Sequence, residues 1–359
     1  MNRNLARLDG HLRQFEVGFR PHLKTAKSIE VASRMMRSPA GPATVSTLAE
    51  AEAFAGVGVA DILYAVGIAP GKLQRVLALR RRGVELSIIL DSIEQAREVA
   101  KASREAGMPL PVLVEIDSDG HRAGVRPDDP LLFEIAAILD GQGARLEGVL
   151  THAGGSYDLV GKAALERAAE EERLAVVTAA KRLRAAGHAC PVVSVGSTPT
   201  AHFARSLEGV TEVRAGVFVF FDLVMAGVGV CAIDDIALSV LATVIGLNRD
   251  SGRVFVDAGW MALSRDRGTA SQDVDHGYGL VCDAAGRPFP DLIVSQANQE
   301  HGVLTLRPKS GARLPDLPIG AQVRILPNHA CATAAQHSAY HVIDANGSVD
   351  KVWPRISGW

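Results

Sequence analysis

GFRPHLKTAKS, residues 18–28, is the stretch from which the rest of the chain is read. Val17 and Phe19 stand two apart, as residues ending a short buried strand do. Arg20, Pro21 and His22 break the apolar run, and Lys24 follows at once. A lysine just past a strand end, flanked by Leu23 and Thr25 rather than by other charges, is placed to point into a cleft. Desolvation there lowers an ammonium's pKa and makes it a nucleophilic amine. Taken alone, the stretch also reads as a loop with a solvated lysine.

The surrounding pattern favours the cleft. Upstream, Leu5, Leu8 and Leu12 sit at helical spacing in residues 1–15. Downstream, helical segments from Ile29, Leu48 and Lys72, then over 93–106, 131–139, 163–186 and 200–207, carry polar residues on one face. They alternate with Val/Ile/Leu-rich strands at 43–46, 61–66, 85–90, 111–116, 146–150, 192–195 and 212–218. Such alternation implies parallel strands joined by crossover helices. About eight strand–helix units over ~220 residues is the size of a (β/α)8 barrel. From about Ala232 strands follow one another with no long helical pattern between them, as in a mostly antiparallel β domain. The expected organisation is an α/β barrel over 1–225 and a β domain over 226–359. An open doubly wound sheet is the rival, but it does not need polar residues at so many strand ends.

Composition narrows the function classes. The 359 residues are 47% hydrophobic with a formal net charge of −2, which suits a soluble globular chain with core enough for two domains. The charge gives no case for nucleic acid or an anionic membrane, and no apolar run reaches transmembrane length. Residues 1–15 lack the apolar segment of a signal peptide. Cys190, Cys231, Cys282 and Cys331 are far apart and form no CxxC, so they are read as reduced and the protein as cytoplasmic.

Barrel chemistry sits at the C-terminal ends of strands, which here read Lys24, Tyr64, Asp91, Asp117 with Arg122, His152, Gly196–Ser197 and Gly216. SVGSTPT (194–200) and RAGVF (214–218) are Gly-containing strand-to-helix turns. Read singly, either is an ordinary turn. Together they gather backbone N–H groups with the hydroxyls of Ser197 and Thr198, a phosphate site where barrels commonly hold one. A reactive lysine at strand one and a phosphate cradle at strands seven and eight become neighbours when a barrel closes. That pairing points to pyridoxal phosphate on Lys24. Separately, His329 and Cys331 in NHACAT (328–333) are two apart, so on an extended strand both point to one side. Imidazole and thiolate suit zinc, and two ligands leave positions open for water or substrate, as catalytic sites do.

RPHLKT (20–25), DGHRAG (119–124), THAGGSY (151–157), VGSTPT (195–200), VRAGVFVFFD (213–222) and ILPNHACAT (325–333) occur in that order. Across nearly the whole chain they resemble the D-serine dehydratase/D-threonine aldolase family of alanine-racemase-type barrel enzymes. The resemblance implies a pyridoxal 5'-phosphate enzyme. Lys24 carries the cofactor. Arg122 lies near its phenolate oxygen, His152 lies against the ring and bonds Arg214, and Arg214 faces the pyridine nitrogen. Ser197, Thr198, Gly196 and the backbone at Gly216 and Val217 hold the phosphate, and Tyr157 reaches the same pocket. A salt bridge on the barrel rim is the structural alternative for Arg122 and Arg214.

The resemblance also implies that His329 and Cys331 bind a divalent metal beside the cofactor. The cysteine leans towards the dehydratases and zinc, with manganese or magnesium open. His301 and residues 264–267 are substrate-facing or simply structural, and Arg265 or Arg267 suits a distal substrate carboxylate. The implied activity is dehydration of a β-hydroxy-D-amino acid, D-threo-3-hydroxyaspartate or D-serine, to a 2-oxo acid and ammonia. The alternative is aldol cleavage to glycine and an aldehyde. Racemisation needs a second base, for which no motif is found, and a non-catalytic cofactor carrier would be the barrel alone. A homodimer follows by analogy. Two departures stand out. The family's usual first strand, which joins the β domain, is absent, which leaves the edge pairing of that domain open. Ala26 stands where many relatives have histidine, which denies a base at that position.

Overall fold

A computed structural model describes residues 1–344 and 347–359. It forms two compact units, Leu5–Gly216 with Ile356–Trp359, and Met1–Asn4 with Val217–Arg355. Among the described residues no helix is long and apolar enough to cross a membrane.

The first unit is built on eight parallel strands: β1 (Gly18–Phe19), β2 (Ala43–Val45), β3 (Asp61–Gly67), β4 (Glu85–Leu90), β5 (Pro111–Ile116), β6 (Arg145–Thr151), β7 (Val192–Val195) and β8 (Glu212–Val213). α1 (Asn2–Leu12) precedes them. The crossovers carry α2 (Ile29–Met35), α3 (Leu48–Gly56), α4 (Leu73–Arg81), α5 (Ile93–Ala106), α6 (Leu131–Gly141), α7 (Lys162–Ala185) and α8 (Thr198–Phe203). Caps fix several boundaries. The Thr47 side chain accepts from Glu50 N at the start of α3, and Ser92 from Gln95 N at the start of α5. Leu63, Ile89, Leu113 and Leu150 form one apolar cluster, while Ile62, Tyr64, Ile88 and Val149, on alternate positions, are equally buried. Burial on both faces is what parallel strands under crossover helices require.

The strand order is β1-β8-β7-β6-β5-β4-β3-β2, and its two ends meet. His22 and Thr44 form a parallel bridge in which Leu23 N donates to Thr44 O and Thr44 N to Pro21 O, both at 2.8 Å. The sheet closes on itself, so the open doubly wound alternative is excluded.

Two expected elements differ. The strand expected over 212–218 stops at Val213. Val217–Val219 instead coils into a 3-10 turn closed by Phe220 N to Val217 O at 3.1 Å, with Phe221 at φ 51°. Residues 217–221 are all buried, and a run that is apolar throughout does not distinguish a strand from a buried turn. α8 begins at Thr198 rather than Thr200, because Ser197 caps it in a capping box with Thr200.

In the second unit β9 (Val240–Asn248), β10 (Arg253–Val256), β11 (Leu280–Asp283), β12 (Pro288–Ala297), β13 (Gly302–Leu306) and β14 (Gln322–Leu326) close an antiparallel barrel in the order β10-β13-β12-β11-β14-β9. Val244, Val256, Val281, Leu292, Leu304 and Ile325 fill it. Among the described residues the six strands close without a free edge, so the edge pairing left open by the missing first strand is met within the barrel itself. β15 (Ala339–Ile343) and β16 (Val349–Pro354) pair as a separate hairpin. Three short helices, α9 (Leu223–Val228), α10 (Trp260–Leu263) and α11 (Ala330–Ala334), stand among the strands. α11 corrects the strand reading of residues 328–333. His329 is the last extended residue (φ −134°, ψ 108°) and caps the helix that contains Cys331. Its ACATA sequence is alanine-rich, and alanine is the strongest helix former.

Buried charge anchors the turn that carries Lys24. Lys27 Nζ meets Glu50 Oε1 at 3.1 Å, and the hydroxyls of Ser46 and Thr47 donate to the same oxygen at 2.6 and 3.0 Å. Glu50 is fully buried. Lys27→Ala leaves that carboxylate without its cation and is expected to cost roughly 3 kcal/mol, whereas Lys27→Met with Glu50→Leu costs less. Urea unfolding of the two variants checks the order.

Candidate active site

β1 ends where Pro21 and His22 join β2, and residues 23–26 turn sharply, closed by Lys27 N to Leu23 O at 2.8 Å. Leu23, Thr25 and Ala26 are buried and fix the turn. Lys24 is exposed, unlike the buried lysine expected from the sequence, while the two histidines beside it are themselves desolvated. Burial drives His22 well below its ordinary pKa, with Lys24, Arg214 and His152 adding to the effect. Burial, then the charge of Lys24, takes His152 down to about 3. Both rings are therefore neutral at neutral pH. His22 drew no attention in the sequence except as a breaker of the apolar run.

His152 follows β6. Its Nδ1–H donates to the Gly196 carbonyl at 2.5 Å, since a carbonyl only accepts, and its ring centroid lies 6.0 Å from that of Tyr157. Arg214, just past β8, is 4% exposed. Its Nε donates to Ser194 Oγ at 2.8 Å and its Nη2 to Thr151 O. The expected His152–Arg214 bond is not formed, because both side chains are engaged by strand-end groups. Arg122 stands in the loop after β5, half-exposed, with Nη2 donating to Glu115 Oε1 at 3.4 Å. Burial raises the Glu115 pKa and the Arg122 charge opposes the rise.

The two hydroxyls of the β7 turn differ. Ser197 Oγ accepts from Thr200 N at 3.2 Å and meets Ser156 Oγ at 2.9 Å, so it is engaged in shaping the turn. Thr198 Oγ1 is buried with no hydrogen-bond partner among the described residues. Glycine is required on both sides. A Cβ on Gly196 would lie 1.9 Å from Arg214 O, and one on Gly216 would lie 2.8 Å from His22 O. Val217 is buried and begins the 3-10 turn beyond β8. Behind the turn lies Glu172, a buried carboxylate on α7 that sequence patterning had placed on a polar helix face. Its Oε1 accepts from Ala153 N and Gly196 N, each at 3.0 Å.

In the second unit His329 Nδ1–H donates to Asp266 Oδ2 at 2.9 Å, and His329 is hydrogen-bonded to Cys331. Burial disfavours a charged ring, but Asp266 and Cys331 outweigh it and hold the pKa at about 11. Asp222 is fully buried, accepting from Met225 N and from Ala330 N, each at 2.9 Å, and so fixes the start of α11. Burial lifts its pKa to about 6. Neither aspartate's part was legible in the sequence. Arg267 pairs with Asp275 at 2.8 Å, while Arg265 lies over the Trp260 ring at 4.4 Å. His301 is exposed. Among the described residues no group of three or more His, Cys, Asp and Glu side chains is arranged to hold a metal. No disulfide joins the four cysteines.

Two family models cover the chain: "Alanine racemase, N-terminal domain" over residues 1–224 and "Putative serine dehydratase domain" over residues 237–343. D-threo-3-hydroxyaspartate dehydratase from a Delftia strain is 55% identical over all of this chain and 95% of its own length. The chain belongs to the D-serine dehydratase/D-threonine aldolase family. The structure of that Delftia enzyme superposes with a TM-score of 0.96. One of its cysteine-to-alanine variants has been solved in a metal-free form. Within the family, D-serine dehydratase of Dictyostelium discoideum is 30% identical over 96% of this chain and 91% of its own. D-threonine aldolase from an Arthrobacter species is 29% identical over 98% and 88%. The family is one of pyridoxal-phosphate enzymes, and the chain is a lyase of this type.

The depressed histidines have a stability consequence. Below pH 6.5 the unfolded chain protonates its histidines, while the folded chain holds His152 neutral down to about 3. The unfolded state then binds more protons, so stability falls as pH drops through this window. Each such histidine adds up to about 1.4 kcal/mol per pH unit. His152→Gln is expected to flatten part of the slope in urea titrations between pH 7 and pH 5, and an unchanged slope would contradict the neutral assignment.

Proposed function

We propose that the chain is a pyridoxal-phosphate- and divalent-metal-dependent dehydratase of β-hydroxy-D-amino acids, preferring D-threo-3-hydroxyaspartate to D-serine and releasing a 2-oxo acid and ammonia. The observation that carries the reading is the His329–Cys331 pair. Its imidazole is oriented by Asp266, the arrangement in which the remaining ring nitrogen faces a metal, and its thiol favours zinc over manganese or magnesium. The cofactor site fits equally. Thr198 Oγ1 is a buried hydroxyl in want of an acceptor or donor, beside glycines that let backbone approach closely.

When bound, the cofactor withdraws electrons from the substrate's Cα and the cation polarises its β-oxygen as a Lewis acid. Lys24 Nζ would hold the cofactor and would take the substrate's Cα proton. Arg214 would lie at the ring nitrogen. A guanidinium only donates, so it keeps that nitrogen unprotonated. Arg122 donates towards the phenolate oxygen, and His152 and Tyr157 line the ring. Thr198 and the backbone N–H groups of Gly216 and Val217 hold the phosphate, with Gly196 and Ser197 shaping the turn. His329 and Cys331 surrender their shared proton to bind the cation. Arg265 suits a distal substrate carboxylate better than Arg267, which Asp275 already engages. We further propose a cytoplasmic homodimer, on the reduced-thiol reading of the cysteines and by analogy with racemase-type barrels.

Incubation with D-threo-3-hydroxyaspartate, D-serine and D-threonine is expected to yield ammonia with oxaloacetate, pyruvate and 2-oxobutanoate respectively, from whichever of them are accepted. Glycine with an aldehyde would establish the aldolase reading instead. Chelation should abolish turnover and leave the visible absorbance of bound cofactor largely intact, while Lys24→Ala should lose both. Full activity of Lys24→Ala would remove the proposal.

Asp266→Asn is expected to weaken cation binding about 10- to 100-fold in chelator-competition titrations. Unaltered affinity would show that Asp266 does not orient the ligand.

A further inference from the structure

Glu172 is 2% exposed, in the middle of α7. A helix face against a barrel is filled most cheaply by apolar side chains, and a buried carboxylate persists only where donors satisfy it. Here the donors are specific. Ala153 N, directly after His152, and Gly196 N, directly before Ser197, donate to one oxygen, Oε1. The Thr200 hydroxyl also bonds the carboxylate. Thr200 Oγ1 in turn accepts from Ser197 N at 3.2 Å and lies 2.9 Å from Ser197 Oγ. The Gly196 peptide region is thus gripped at both ends, its N–H by Glu172 and its carbonyl by His152.

We propose that Glu172 is a positioning residue that sets the spacing between the His152 loop and the phosphate-binding turn, and thereby the affinity for the phosphate of the cofactor. The inference rests on the reading of residues 196–200 as that turn. Three groups of the turn, Gly196 N, Ser197 N and the Thr200 hydroxyl, are held directly or through one atom by this carboxylate. Thr198, with its orphan hydroxyl, stands between Ser197 and Thr200 in the chain. Without the carboxylate, Ala153 N and Gly196 N lose their shared acceptor, and beyond the β6–β7 ladder only the His152–Gly196 and Ser156–Ser197 bonds are left to tie the loop to the turn. A glutamine keeps an oxygen for both N–H groups; an alanine keeps nothing.

The test compares binding of pyridoxal 5'-phosphate and of pyridoxal, which lacks the phosphate, to the cofactor-stripped full chain. The wild type should bind the phosphorylated form tighter by about a hundredfold or more, as expected for several charge-assisted hydrogen bonds. In Glu172→Ala that ratio should shrink about tenfold, while Glu172→Gln should keep most of it. A general loss of stability would weaken both forms alike and leave the ratio unchanged. Thr200→Val, which removes only the hydroxyl linking Glu172 to Ser197, should lower the ratio several-fold and decides the matter if Glu172→Ala does not fold. A ratio held within twofold in the deciding variant overturns the inference. A wild type that binds both forms equally overturns the phosphate reading itself, and the inference with it.

Discussion

A guanidinium can lie inside a barrel only if its surroundings supply acceptors, and Arg214 shows how far that demand reaches. Its Nε rests on Ser194 Oγ, Ser194 donates to Glu212 at 2.8 Å, and Glu212 accepts from Arg20 Nε at 2.8 Å. Arg20 extends the chain to Asp61 at 2.6 Å. Four strands, β1, β3, β7 and β8, are joined by this one polar line. β1 and β8 are only two residues each, though backbone bonds such as Arg20 N to Val213 O at 3.0 Å and His22 N to Ala215 O at 2.8 Å continue their pairing. The side chains add to what these short ladders hold. The satisfaction of Arg214 is therefore coupled, through Arg20, to the strand that leads into the Lys24 turn.

The parts of the fold that were legible in the sequence are those set by local periodicity. Glu85–Leu90, Ile93–Ala106, Pro111–Ile116 and Val192–Val195 have the boundaries that hydrophobic spacing and caps dictate. The placement of the candidate residues was legible where motif residues stand at strand ends. It was not legible where a residue acts through a tertiary hydrogen bond. Glu172 looks like any charge on a polar helix, and Asp222 and Asp266 look like loop acids. Ser197 and Thr198 are adjacent hydroxyls of similar chemistry, and only the capping geometry shows that one is engaged and the other is not.

The His329–Cys331 pair shows a sound juxtaposition reached through the wrong local structure. Two residues apart on a strand share a face, but the chain turns into α11 between them. They meet because His329 is still extended as the cap while Cys331 is already in the first helical turn. Asp222 is what makes that switch abrupt, since it accepts the Ala330 N–H between the two donors. Pairing by proximity across a cap is less tolerant than pairing on a strand, because a one-residue shift of the helix start would separate the two side chains.

The order of synthesis gives the C-terminal segment a separate importance. Ile356 N donates to Lys27 O at 2.6 Å, so a residue translated after the whole β unit completes the hydrogen bonding of the turn that carries Lys24. Domains usually fold as units while the chain emerges, the N-terminal one first. In this chain the barrel strands are complete on the ribosome long before that bond is available. The nascent barrel therefore lacks one of the bonds to the turn that carries Lys24, which Glu50 and the Leu23–Thr44 pairing already hold, until the second unit has been made.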